Sequence, residues 1–122
     1  MAPTPSPTPT PEPERLSVTI SGDLLWHRGL LADGLEAGKA SGAAYDFVPL
    51  FEHIQPLIED ADVSICHVEV PVAPEGVKPV GYPVFASPPE TIEAAGRVGF
   101  DYCTFASNHT FDQGFAGVRA TL

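Results

Sequence analysis

Three runs of β-branched, aliphatic and aromatic residues recur along the chain, and each ends on a polar cluster. They are Leu16 to Leu25 (LSVTISGDLL), Asp62 to Val70 (DVSICHVEV), and Tyr102, Cys103, Thr104 and Phe105. The first alternates, with Val18 and Ile20 on one face, as a strand does. The second is nearly continuous in apolar character, as a strand at the centre of a parallel sheet would be. Parallel neighbours need a crossover of a dozen or more residues, and the intervals between the runs supply it. The order strand, helix, strand, helix, strand, helix predicts an α/β fold. Two successive βαβ units share the middle strand and all three strands run parallel.

The intervening segments carry helix signals. From Asp46 to Asp60, Phe47, Leu50, Phe51, Ile54, Leu57 and Ile58 recur at spacings of three and four, which predicts an amphipathic helix with Asp46 as N-cap. Burying all six would contribute roughly 10 to 15 kcal/mol before chain entropy is charged against it. Pro49 fits the first turn, and Pro56 is expected to kink the helix or interrupt its hydrogen bonding. His53 lies off the stripe and reads as a surface residue. Ser87, Pro88, Pro89 and Glu90 read as a capping box opening a second helix through Ile92, Ala95 and Val98, with Gly99 at its end. A third helix is expected from Asp112 to Leu122. It reaches Leu122 without a cap, so further strands are expected to belong to the complete domain.

Residues 1–14 (MAPTPSPTPTPEPE) alternate proline with threonine or serine, a composition that favours an extended, disordered spacer. That leaves 15–122 as one domain, long enough to bury roughly 60 to 70 percent of its unfolded surface. Sixteen acidic residues against 6 basic ones give a formal charge of −10. Nucleic acid is excluded as a partner on that ground, since its binding depends on Lys and Arg neutralising phosphates. Anionic substrates would need cations to intervene. No apolar run is long enough to span a bilayer, so membrane attachment is expected only through an anchor outside this chain. Cys66 and Cys103 each sit in an apolar run, and they read equally as buried small hydrophobes or as a disulfide.

Function is expected where the strands end, because ligands of open α/β sheets bind outside their carboxyl ends. Asp23 follows Gly22 at the end of the first run as a hard oxygen ligand, with Trp26, His27 and Arg28 in the loop beyond. His67 and Glu69 close the second run before Pro71. Their spacing puts them on one face, and a carboxylate there demands a partner. Ala73 to Ala86 is a Pro/Gly-rich segment with Tyr82 and Phe85 at its tip, the composition of a lid or substrate-contacting loop. After the third run come Asn108, His109 and Asp112 before Gly114.

At these residues the chain resembles the poly-gamma-glutamate capsule biosynthesis protein family of the CapA type, itself similar to the calcineurin-like metallophosphoesterases. The resemblance rests on Gly22-Asp23 with Arg28, on His67-Val68-Glu69 with Pro71, and on Ala106-Ser107-Asn108-His109-Thr110 with Asp112 and Gly114. It covers Leu16 to Leu122 and implies the amino-terminal half of a layered α/β, metallophosphoesterase-like domain. It further implies two divalent metal ions, Mn, Fe, Zn or Mg, at the carboxyl edge of the sheet. Asp23 would bind one metal, Glu69 would bridge both, and Asn108 would bind the second. His109 would face the substrate phosphate as the catalytic group, with Asp112 supporting it or capping the next helix. His27, Arg28, His67 and Tyr82 would contact an anionic small-molecule or polymer substrate.

The chain departs from the family pattern at three points. Leu25 stands where metallophosphoesterases usually have a His, His67 stands where this family often has Asn, and the later histidine motifs lie beyond Leu122. The expectation for this chain is therefore weak metal binding and negligible hydrolysis. The resemblance places the protein outside the cytoplasm or at the cell envelope. The rival reading is a non-catalytic envelope protein that holds an anionic polymer during capsule assembly. A doubly wound nucleotide-binding module is disfavoured because no Gly-rich loop follows the first strand.

Overall fold

The computed structural model describes residues 12–122; residues 1–11, most of the expected Pro/Thr spacer, lie outside them. Strand β1 (Val18–Leu24) leads to helix α1 (Arg28–Ser41), a 3-10 turn (Val48–Phe51) and helix α2 (Gln55–Glu59). Strand β2 (Val63–Val68), helix α3 (Glu90–Arg97), strand β3 (Tyr102–Thr104) and helix α4 (Gly114–Thr121) follow. The strands form one sheet in the order β1-β2-β3, and both pairings are parallel, as the alternation of elements predicts. No helix among the described residues is long and apolar enough to cross a membrane.

The core lies on one face of the sheet. Cys66 and Val68 of β2 pack with Trp26, Leu31, Phe47, Phe51, Ile58, Ala94, Ala95, Val98 and Phe100 from the crossovers. The opposite face carries Val18 and Ile20 on β1 and Tyr102 on β3, all exposed. Between the strands, Cys66 and Cys103 are register partners and are joined by a disulfide, which decides between the two readings open for them.

Several expectations need correction. The first crossover is not one helix from Asp46 to Asp60. Phe47, Phe51 and Ile58 are buried, but Leu50, Ile54 and Leu57 are exposed, so the apolar burial is about half of that expected. Pro56 is the cause: it has no N–H to donate and its ring crowds the preceding turn. The 3-10 turn therefore stops at Phe51, and α2 begins afresh with proline in its first turn. Asp46 is not the N-cap, although its Oδ1 accepts from Val48 N at 3.1 Å.

Helix α1 occupies the stretch read as a loop at Arg28. Its inner face is glycine: a Cβ on Gly34 would overlap the Phe47 ring, and one on Gly38 would lie 2.8 Å from Tyr45 Cα. The capping box at Ser87 does not form either. The Ser87 hydroxyl donates to Pro71 O, its backbone bridges to Val72, and Pro88 and Pro89 carbonyls accept the first N–H groups of α3. Gly99 does end the α3 turn, at φ 104°.

Candidate functional site

Register brings one side chain from each strand into a row at the carboxyl edge. Asp23 pairs with His67, and His67 pairs with Thr104. The pairing depends on an irregularity in β1. Ile20 stands opposite Ile65 and Asp23 opposite His67, so β1 carries one residue more than β2 over the same span. A bulge of this kind re-aims the side chain that follows it. Here it turns Asp23 to the same side as Ile20, where regular alternation would have put Gly22. The row lies on the open face, opposite buried Ser64, Cys66 and Val68.

Within the row, His67 Nδ1 is 2.6 Å from Thr104 Oγ1, and His67 Nε2 is 3.9 Å from Asp23 Oδ1. The first distance is a hydrogen bond and the second is too long to be one. Thr104 had no sequence signal beyond its place at the end of a strand.

Glu69 stands one residue past β2 and is 9% exposed. Its Oε2 has no hydrogen-bond partner among the described residues. A buried carboxylate oxygen left in this way is costly, and Glu90 Oε2 at the start of α3 is left in the same way.

The loop after β3 is knitted by its own hydroxyls. Thr110 Oγ1 donates to Phe105 O at 2.6 Å and accepts from Ser107 N at 2.9 Å, while Ser107 Oγ donates to Asn108 Oδ1 at 3.1 Å. Asn108 is exposed at the loop's outer surface. His109 Nδ1 and Asp112 Oδ2 are 2.7 Å apart and mostly buried. A carboxylate only accepts, so a hydrogen sits on Nδ1, and Nε2 is the ring nitrogen not engaged by Asp112. Asp112 supports His109 and does not cap α4, whose N-cap is Gln113 without a side-chain bond.

That same Asp112 oxygen accepts from Phe85 N at 2.7 Å, and Gln113 Nε2 donates to Phe85 O at 2.9 Å. Both main-chain groups of Phe85 are thereby tied to the third loop. Its ring is buried, edge-on to His109 at 4.7 Å and to His27 at 5.2 Å. Of the two aromatic residues expected at the tip of this segment, Phe85 is buried and Tyr82 is exposed, at 65%. Phe85 and Gln113 belong to the site, and nothing in the local run of residues separates the anchored aromatic from the free one. Arg28 opens α1 beside Gly81, where a Cβ would come 3.0 Å from Arg28 N.

Asp23 with His67, and His109 with Asp112, are therefore brought together in pairs. Among the described residues, no three His, Cys, Asp or Glu side chains meet as a group able to hold a metal ion. The gathering of Asp23, Glu69 and Asn108-His109 about one point holds only to the extent that all lie at the carboxyl edge. Hard oxygens and an imidazole are present at this edge, but they stand in pairs and do not converge as one ligand set.

The model of the family described as bacterial capsule synthesis protein PGA_cap matches residues 17–122, which takes in every strand and the three loops at their carboxyl ends. No curated protein matches the chain.

Proposed function

The chain belongs to the bacterial capsule synthesis protein family PGA_cap, and from that premise we propose that its carboxyl edge is the amino-terminal part of a cation-dependent, phosphoesterase-like site acting on an anionic capsule polymer or its precursor. The observation that carries this reading is Glu69, whose buried carboxylate oxygen lacks a partner among the described residues and which stands one residue past β2, the strand paired in register with the Asp23 end of β1.

Asp23, Glu69 and Asn108 would hold the cation, which when bound would offset the charge of a phosphoryl group and activate water. His109 is oriented by Asp112 so that its Nε2 is available to exchange a proton with a substrate oxygen. Phe85 excludes water from one side of that imidazole. Tyr82, exposed on the loop that Asp112 and Gln113 anchor, and Arg28 at the start of α1 supply contacts to the substrate. The disulfide between Cys66 and Cys103 accords with an oxidising compartment, hence with a place outside the cytoplasm.

Calorimetric titration of the chain with Mn²⁺ tests the reading. We expect saturable but weak binding that falls at least tenfold in Glu69→Gln, with turnover of a phosphodiester absent. Binding unaffected by Glu69→Gln would overturn it. The absence of a three-ligand group among the described residues favours a second reading, retention of the polymer without cleavage. Cation-dependent retention of poly-gamma-glutamate of unchanged length would support that alternative.

A further inference from the structure

Away from the strand ends, a cleft of about 400 Å³ lies between α3 and the segment that follows α1. None of its lining residues comes from a strand or from the loops that carry Asp23, Glu69 and His109. We propose that this cleft binds a small zwitterion, an α-amino acid with an apolar side chain. The inference is independent of the cation reading given above and concerns a second site.

The cleft has an apolar floor and charged walls. Phe47 and Ala94 are buried, and the Tyr45 ring stacks on Phe47 with centroids 5.7 Å apart. One wall is a single face of α3, because Glu90, Glu93 and Arg97 recur at spacings of three and four. Asp46 stands on the other wall, with its Oδ1 engaged by Val48 N. Volume and make-up both suit a small-molecule site, which spans roughly 300 to 1,000 Å³ and sets a few polar groups against apolar walls.

Glu90 and Arg97 both have bonding capacity to spare. Glu90 Oε2 is shut off from solvent and accepts no hydrogen bond among the described residues. A place in the first turn of α3 suits its charge through the helix dipole, but the oxygen itself stays unsatisfied. A donor on a ligand meets that need. Glu93 and Arg97 are four residues apart, the spacing of a helical ion pair, yet among the described residues they form none. The guanidinium therefore keeps its donors for an acceptor that enters the cleft. Three carboxylates beside one guanidinium disfavour a simple anion, and the unused guanidinium distinguishes a zwitterion from a simple cation. The ammonium is assigned to Glu90, the carboxylate to Arg97 and the apolar side chain to the floor of Phe47 and Ala94. An organic cation suits these walls better than a metal ion, because among the described residues no three acidic groups converge on one point.

Calorimetric titration of the chain with L-leucine, isoamylamine and isocaproate tests this, since the amine lacks the carboxylate of leucine and the acid lacks its ammonium. We expect saturable binding of leucine, binding of the amine weaker by about tenfold or more, and none of the acid, as the loss of a charge-assisted hydrogen bond predicts. Glu90→Gln should weaken leucine by about tenfold or more, and Arg97→Gln should bring leucine down to the affinity of the amine. Glu93→Gln, on the exposed rim, should weaken it by less. Glu69→Gln should leave leucine binding unchanged, which separates this cleft from the carboxyl edge. Urea midpoints confirm that each variant is folded. A wild type that binds no leucine overturns the inference, as does an amine that binds as tightly as leucine, or leucine binding that falls in Glu69→Gln and not in Glu90→Gln. The capsule-site reading stands or falls separately, on the Mn²⁺ titration.

Discussion

Asp62 and Asp101 stand just before β2 and β3, at the amino edge of the sheet, while Asp23 and Glu69 stand at the carboxyl edge of β1 and β2. At the amino edge each aspartate closes a junction between neighbouring strands. Asp62 Oδ2 accepts from Ser17 N at 2.8 Å and from Ser17 Oγ at 2.7 Å, and its own N–H donates to Ser17 Oγ at 2.9 Å. Asp101 Oδ2 accepts from Ser64 N at 2.8 Å, and Asp101 N donates to Ser64 O at 2.9 Å. The same device is used twice, one strand apart. At the carboxyl edge Asp23 and Glu69 make no such closure: among the described residues Glu69 Oε2 is unpartnered, and Asp23 stands 3.9 Å from His67. Carboxylates that have spent their acceptor capacity on the backbone hold a sheet together. Those with capacity left over are the ones available to a ligand.

The disulfide lies between the two edges and supplies the largest effect. Reducing Cys66–Cys103, which closes a separation of 37 residues, should cost about 2–4 kcal/mol. Urea midpoints with and without reductant measure it, and a Cys66→Ser/Cys103→Ser double variant should not respond to reductant. If reduction left the fold intact but removed cation binding alone, the division between a structural and a functional edge would be wrongly drawn.

Next in size is Asp101→Ala, which leaves the Ser64 N–H without its acceptor. We expect a loss of about 1–3 kcal/mol in urea unfolding with Mn²⁺ affinity unchanged. Glu69→Gln should do the reverse: stability unchanged or raised by up to about 1 kcal/mol, because an uncompensated charge is removed, while Mn²⁺ affinity falls. A variant at either edge that moved both quantities together would break the comparison.

The parallel sheet was legible in the sequence because strand periodicity and polar termini are local signals, and Asp23, Glu69, Asn108 and His109 were legible as strand-end residues for the same reason. Helix α1 was not. Its buried side is made of Leu31, Gly34 and Gly38, and glycines that allow close approach of Phe47 and Tyr45 look, in one dimension, like loop residues. Nor was the role of Phe85, which depends on two main-chain bonds to Asp112 and Gln113, far along the chain. The Asp23–His67–Thr104 row escaped because a bulge shifts register by one residue, and nothing in LSVTISGDLL marks where that residue is inserted. What strands contribute singly can be read from their own residues, whereas what they contribute jointly depends on register.

The smallest effect concerns Asp62 and can be isolated by pH. Its pKa is lowered from the usual 3.8, first by the hydrogen bond from the Ser17 N–H and then by that from the Ser17 hydroxyl, both of which favour the charged form. A carboxyl group with a lower pKa in the native state binds fewer protons there than when unfolded at intermediate pH. Its contribution is therefore present in full above 3.8 and disappears as pH falls through the lowered value, where the native carboxylate takes up its proton. Asp62 is fully exposed, so solvent screens the effect and it should be slight. Urea midpoints measured from neutral pH down into the acid range should fall more steeply in the wild type than in Asp62→Asn, which keeps an acceptor oxygen but does not titrate. Parallel curves would mean that Ser17 is held to β2 by backbone pairing alone, and that the closing role assigned to amino-edge aspartates rests on Asp101.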